Sequence, residues 1–330
     1  MRVISLAIGR CERVTTLTPQ ITPSRPGALS PSAAARLRAT LTESPVPERY
    51  RLIEVIGEGG MGVVWRAHDT VLARDVAVKV VAAHLASDEL IERLAREARI
   101  LATLEHPGIV PVFDRGSGPD GTPWYAMRLV QGKRLDIAAR DGRDRRDLLR
   151  IVEQLCETVG YAHAHGVVHR DLKPGNVMLG PFGETLILDW GVARDADPDF
   201  RAGIAVGTPG FMAPEQAAGL RGDVGAEARA DIFGLGAILR EMVAVHDDPA
   251  PRRLRSIIEC AVAADPAARY SSAIDLRDDL RRFAANERVL AHRETIVERI
   301  ARFASTHQTA ILLVLTYLLM RVGVLLWRGI

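Results

Sequence analysis

The stretch His169-Arg170-Asp171-Leu172-Lys173-Pro174-Gly175-Asn176 puts a carboxylate, an ammonium and a carboxamide on one short loop. Phosphoryl transfer needs these groups: a carboxylate to take or orient the proton of an attacking hydroxyl (Asp171), an oxygen donor for a divalent cation (Asn176), and a positive charge for the moving phosphoryl group (Lys173). A second stretch, Ile56-Gly57-Glu58-Gly59-Gly60-Met61-Gly62-Val63-Val64, spaces its glycines so that backbone can approach phosphates with no side chain between. A third feature is Lys79, which ends the apolar run Val76-Ala77-Val78. An ammonium directed inward from such a strand requires an anion, because burying it unpaired is very costly. Glu97 is the expected partner.

The elements that must position these groups follow from periodicity. Apolar residues from Tyr50 to Ile56 and from Val63 to Ala67 flank the glycines, so the segment reads as strand, glycine turn, strand. In a dinucleotide-binding turn the last glycine would open a helix instead. Leu90, Leu94, Ile100, Leu101 and Leu104 mark an amphipathic helix carrying Glu97, while Glu92 is expected in a surface ion pair. Ile151, Val152, Leu155, Cys156 and Val159 form an apolar helical stripe ahead of the loop, with Cys156 in the core.

With these motifs in order, the chain resembles the bacterial, eukaryotic-like serine/threonine protein kinases over about Tyr50 to Phe283. The resemblance implies an α+β, bilobal protein-kinase fold with a small β-rich N-lobe and a larger helical C-lobe. It implies ATP and magnesium (or manganese) as cosubstrate and cofactor, with Asp171, Lys173 and Asn176 catalytic. ATP would be bound by Ile56, Gly57, Glu58, Gly59, Gly60, Met61, Gly62, Val64, Ala77, Lys79, Glu97, Met127 and Leu129. Met127 matches the residue behind the adenine pocket, and Arg128, Leu129 and Val130 match the hinge. Asp189 and Asn176 would hold metal. Ala213-Pro214-Glu215 would close the activation segment, with Glu215 on Arg269 and Asp231 holding the catalytic loop from below. Lys173 and Thr208 match the pattern for Ser/Thr acceptors, with Thr208 bonded to Asp171 and Lys173. A pseudokinase or nucleotide-binding scaffold, and a small-molecule kinase of related fold, are the alternatives.

Departures from the family pattern carry their own expectations. Trp190 stands where Phe is usual after the metal-binding Asp189, and Arg128 where Glu is common in the hinge. Residues 189–215 contain no Ser or Tyr and only Thr208 among threonines, although Arg170 precedes Asp171. Activity is therefore expected not to depend on phosphorylation of this segment, with Asp195, Asp197 and Asp199 as fixed negative charge. The region between Asp231 and Arg269 is short, with residues 245–251 bridging almost directly to the next helix, so substrate docking there is in doubt.

Composition sets the context. The chain has 330 residues, 48% hydrophobic, and a net charge of +2, which gives no bulk nucleic-acid footprint. Cys11, Cys156 and Cys260 lack zinc spacing, in keeping with a reducing compartment. His163, His165 and His169 read as a helix end and a structural loop histidine rather than a metal cluster. Five segments are expected: a disordered Pro/Ser/Thr/Ala-rich tail over 1–47 without a signal peptide, an N-lobe over 48–130, a C-lobe over 131–285, an amphipathic juxtamembrane helix over 286–307, and a transmembrane helix over 308–328. In the juxtamembrane helix Val289, Ile296, Ile300 and Phe303 would share a face, for lipid or a second copy of the chain. Residues 309–327 would span roughly 28 Å as a helix. Arg321 costs about 3 kcal/mol at mid-span, against roughly −3 to −7 kcal/mol from the Leu, Ile and Val residues. Arg288, Arg293, Arg299 and Arg302 precede the span and Arg328 follows it, which places the catalytic domain in the cytoplasm. Little follows Trp327, so no sensor domain beyond the membrane is expected within these residues.

Overall fold

The computed structural model describes residues 44–59, 62–81, 88–119, 121–190, 207–219, 224–246 and 248–327. Cys11, Gly60, Met61, Asp195, Asp197, Asp199 and the tail over 1–43 lie outside the described residues.

The N-lobe is a five-stranded antiparallel sheet in the order β1-β2-β3-β5-β4, with one helix against it. Its strands are β1 (Tyr50–Gly59), β2 (Gly62–Asp69), β3 (Arg74–Val80), β4 (Val112–Ser117) and β5 (Pro123–Arg128). Alternating side chains on β2 bury Val63, Trp65 and Ala67, as a sheet with one covered face requires. β3 is the central strand and is buried throughout its Val76–Val80 run. Both strands extend further into the glycines than the apolar runs suggest, and Gly59 pairs with Gly62. Gly62 has φ +151° and lies so close to the Val80 carbonyl that a Cβ would sit 2.2 Å from its oxygen, so a side chain is excluded there. Helix α1 (Asp88–Thr103) buries Leu94, Ala98, Ile100 and Leu101 and presents Glu97 to β3. Leu104 is buried just beyond its end. Glu92 lies at the surface, 3.8 Å from Arg96.

The C-lobe begins with β6 (Lys133–Arg134) and the short α2 (Leu135–Ala138), followed by α3 (Arg145–Ala164), which is capped by Asp144 accepting from the Asp147 N–H at 2.8 Å. Cys156 lies fully buried in α3, and burial pushes its thiol pKa up. β7 (Val177–Leu179) and β8 (Thr185–Ile187) complete a three-stranded sheet with β6. Beyond these come α4 (Pro214–Ala217), α5 (Val224–Ala244), α6 (Arg252–Ala261) and α7 (Ala273–Ala284). The link from Ala244 to Arg252 is short, as expected, and Arg145 Nη2 pins it through the Asp248 carbonyl at 2.7 Å.

Asp231, on buried α5, accepts from the His169 N–H (2.8 Å), the Arg170 N–H (2.7 Å) and His163 Nε2 (2.8 Å). Burial alone would raise its pKa. The His163 hydrogen bond and charge outweigh that and hold it below the usual carboxylate range. A depressed folded pKa contributes stability above the unfolded value, which is lost as pH falls through the folded one. Asp231→Asn is therefore expected to cost about 2–4 kcal/mol near neutrality, read from the urea midpoint. The gap to wild type should narrow as pH drops below about 4.

The juxtamembrane expectation needs correction. Val289 is not on a helix but is fully buried in the C-lobe core. The cause is Asp279, a fully buried carboxylate of α7 that accepts from the Leu290 and Ala291 N–H groups, each at 2.9 Å, and from the Tyr270 hydroxyl at 3.1 Å. That clamp folds the segment back onto the lobe. The helix, α8, starts only at Ile296 (Ile296–Thr306), with Ile296 and Ile300 exposed; the Phe303 side chain lies outside those described. His292 ties α8 to the lobe, with Nδ1 3.0 Å from Ser256 Oγ and Nε2 3.3 Å from Glu298 Oε2.

Among the described residues no helix is long and apolar enough to cross a membrane, so the span expected at the C-terminus is not shown. What stands there is α9 (Gln308–Trp327), whose apolar side chains, including Leu313, Leu319 and Trp327, are exposed.

Candidate active site

Antiparallel register brings the chemistry together. Lys79 on β3 pairs with Val64 on β2 and Tyr125 on β5, and Ala77 pairs with Met127. Val64 pairs with Gly57, so the glycine hairpin overhangs Lys79. Glu97 reaches Lys79 from α1, with both carboxylate oxygens 2.8 Å from Nζ. Burial works against the ammonium, but the charges of Glu97 and Asp189 prevail and hold the Lys79 pKa well above the ordinary lysine value. The Tyr125 hydroxyl donates to Glu97 at 2.9 Å, fixing the carboxylate from the far side.

The C-lobe half depends on the β7–β8 hairpin. Val177 pairs with Ile187, and the Leu188 N–H donates to the Asn176 carbonyl at 2.7 Å. Asn176 and Asp189 are thereby held at neighbouring strand ends. Asp189 has φ +57° and a half-exposed carboxylate 3.1 Å from Lys79 Nζ. The Lys79 charge draws its pKa below the usual carboxylate value. Trp190 is buried, its ring edge-on to His169 at 4.7 Å, and it fills the wedge position next to Asp189.

Asp171 stands at the centre of a closed ring of bonds. Lys173 Nζ donates to Asp171 Oδ2 (2.7 Å) and to Thr208 Oγ1 (2.6 Å), and the Thr208 hydroxyl donates to Asp171 Oδ1 (2.9 Å). Asn176 Nδ2 donates to the Asp171 carbonyl (2.9 Å) and to Oδ2 (3.2 Å). Its amide hydrogens are thus committed, which leaves the carboxamide oxygen as its acceptor. The three histidines turn to different partners: His163 in the last turn of α3 to Asp231, His165 at its C-cap to the Tyr161 carbonyl, and the loop residue His169 to the Leu188 carbonyl. Arg269, with its side chain fully buried, grips Glu215 with two bonds (2.6 and 2.8 Å) and also donates to the Ala263, Ala264 and Arg229 carbonyls.

One family model, the protein kinase domain, matches residues 50–273. This chain belongs to the protein kinase family. Among curated proteins, the serine/threonine-protein kinase PknA of Mycobacterium tuberculosis is 40% identical over 68% of this chain and 58% of its own length. The serine/threonine-protein kinase PknD of Chlamydia caviae is 35% identical over 71% of this chain and 31% of its own. The chain thus matches under two thirds of one relative and about a third of the other.

The candidate site gathers Lys79, Glu97, Asp171, Lys173, Asn176, Asp189 and Thr208. Ile56, Gly57, Glu58, Gly62 and Val64 lie on the hairpin above, and Met127 and Leu129 are half-buried at the β5 end. Glu215, Asp231 and Arg269 stand below and do not touch the reacting groups. Sequence reasoning missed three residues. Tyr125 lies two positions before Met127, in cross-strand register with Lys79. Gln216 bridges the Ala213 N–H (3.1 Å) and the Arg170 carbonyl (3.1 Å). Glu227 lies four residues before Asp231 on α5, so helical spacing puts it on the face toward the catalytic loop.

Proposed function

We propose that the chain is an ATP-dependent protein kinase that transfers the γ-phosphate to Ser and Thr hydroxyls. The observation that carries this is the Asp171–Lys173–Thr208 ring, formed opposite the Lys79–Glu97 pair. Asp171 takes a position from which it orients an acceptor hydroxyl and accepts its proton. Lys173, bonded to Asp171, offers positive charge beside the same point. Thr208 closes the floor, leaving a shallow site that a Ser or Thr side chain fits and a tyrosine overshoots. Lys79, held charged by Glu97, positions phosphate oxygens beneath the β1–β2 hairpin. The Asp189 carboxylate and the Asn176 carboxamide oxygen are a hard, oxygen-only donor pair that suits magnesium or manganese. When bound, that cation neutralises triphosphate charge. The Glu215–Arg269 anchor fixes the segment beside the acceptor site, which favours a protein substrate over a small molecule.

Radiolabelled transfer from ATP to Ser-, Thr- and Tyr-containing peptides tests this, with Asp171→Asn as control. The expected result is labelling of Ser and Thr only. Nucleotide binding without transfer from the wild-type chain would favour a scaffold role instead.

Membrane tethering, with the kinase domain cytoplasmic, belongs to the same proposal. The exposed apolar residues around α9 support it, since such a surface is unfavourable in water. So does the arginine excess before α9. The full helix is about 30 Å long, which fits a bilayer core with Arg321 drawn to the interface. The full chain is expected to resist alkaline extraction from membranes, and Leu315→Arg with Leu318→Arg to release it. Wild-type protein in the soluble fraction would sink the tether.

A further inference from the structure

Arg170 has a left-handed backbone, φ +72°, immediately before the proposed base. A bulky residue in that region is strained and persists only where its surroundings hold it. Among the described residues, three side chains do so. Asp231 accepts from its N–H at 2.7 Å, and Gln216 Nε2 donates to its carbonyl at 3.1 Å. Glu227 Oε2 lies 3.7 Å from the guanidinium Nε, with both side chains about nine-tenths buried. A guanidinium at that depth needs an anion. Among the described residues that anion comes from the first turn of α5, the same helix that supplies Asp231.

Residues 189–215 offer little for phosphorylation. They contain no Ser or Tyr, and their single threonine, Thr208, has its hydroxyl committed to Asp171 and Lys173. The ring around Asp171 and the Lys79–Glu97 pair are nevertheless both formed. We infer that Glu227 is a positioning residue that stands in for an activating phosphate. Its permanent carboxylate holds Arg170, and through it the backbone of Asp171, so the catalytic loop is set without modification of the 189–215 segment. This rests on the protein-kinase reading above and assigns to α5 a role that the sequence had suggested for Asp195, Asp197 and Asp199.

The test uses the full chain, treated with phosphatase and checked by mass spectrometry to carry no phosphate. Initial rates are compared with those of the same preparation after incubation with magnesium–ATP. The dephosphorylated protein is expected to start at its full rate, without a lag. Glu227→Gln should lower kcat by about tenfold to a hundredfold, with KM for ATP within about twofold, because it displaces the base and not the nucleotide. Glu227→Asp should restore part of the rate. The joint variant Asp195→Asn, Asp197→Asn and Asp199→Asn should keep wild-type kcat. If Glu227→Gln fails to fold, the pair Arg170→Gln with Glu227→Gln removes both charges together, and low kcat at normal KM in that folded variant carries the same meaning. Wild-type kcat in Glu227→Gln or in the Gln pair, or loss of rate in the triple asparagine variant, overturns the inference. So does activity that appears only once phosphate is found on Thr208, although the kinase reading survives that outcome. Absence of transfer from both preparations overturns the kinase reading, and the inference with it.

Discussion

Asp171→Asn should lower kcat by about 10² to 10⁴ while leaving KM for magnesium–ATP within about twofold. Asparagine is isosteric, so the loop keeps its shape and Thr208 can still donate to the remaining carbonyl oxygen. What disappears is a proton acceptor and one negative charge. Lys173, now 2.7 Å from an amide rather than a carboxylate, loses its tether but not its charge. The proposed nucleotide contacts come from the other lobe, through Lys79 and the β1–β2 hairpin, so affinity should persist. The measurement is a steady-state assay with a Ser peptide alongside equilibrium nucleotide binding. A variant with wild-type kcat would remove Asp171 from the chemistry. A variant that also fails to bind nucleotide would show that the side chain acts on the fold.

Legibility differed residue by residue. The pairing of Lys79 with Glu97 was readable because a buried ammonium leaves few options, and an amphipathic helix supplies a carboxylate at the right register. The catalytic loop was readable because its groups are contiguous, whereas the α+β bilobal arrangement came through the family resemblance, with the strands flanking the glycines and the apolar helical stripes in keeping with it. The Glu215–Arg269 anchor joins residues 54 positions apart and came only through the family resemblance. Tyr125, Gln216 and Glu227 escaped notice because each acts through a tertiary contact that ordinary tyrosine, glutamine or glutamate content does not announce. Val289 was misassigned for a physical reason. Its spacing to Ile296 suits a helix, but the buried Asp279 captures the Leu290 and Ala291 N–H groups and spends the segment on a loop. Periodicity records which residues are apolar and cannot record which distant carboxylate will claim the backbone between them.

Lys79→Met tests whether the same ion pair serves both fold and function. Transfer is expected to fall by at least about a hundredfold, because both the phosphate contact and the geometry held by Glu97 are lost. Stability should fall as well. Glu97 and Tyr125 would remain in the interior without the ammonium, and breaking a buried pair from one side costs about 3–5 kcal/mol. The pH dependence gives the cause away. Burial already raises the Glu97 pKa above the ordinary value, with Lys79 opposing, and without Lys79 it rises further. A carboxyl whose folded pKa lies above its unfolded one is most favourable to folding below the unfolded value, near 4.3. That advantage is lost as pH climbs toward the folded pKa. The stability deficit of Lys79→Met against wild type should therefore be small at pH 4–5 and grow toward neutrality, as read from urea midpoints. Replacing the whole cluster, Lys79→Met with Glu97→Met and Tyr125→Phe, should recover stability, since an apolar set of similar volume carries no unpaired charge. It should recover none of the transfer. Stability restored together with activity would mean that the ammonium never touched phosphate. A deficit in Lys79→Met that stays flat with pH would mean that Glu97 is not the group left stranded.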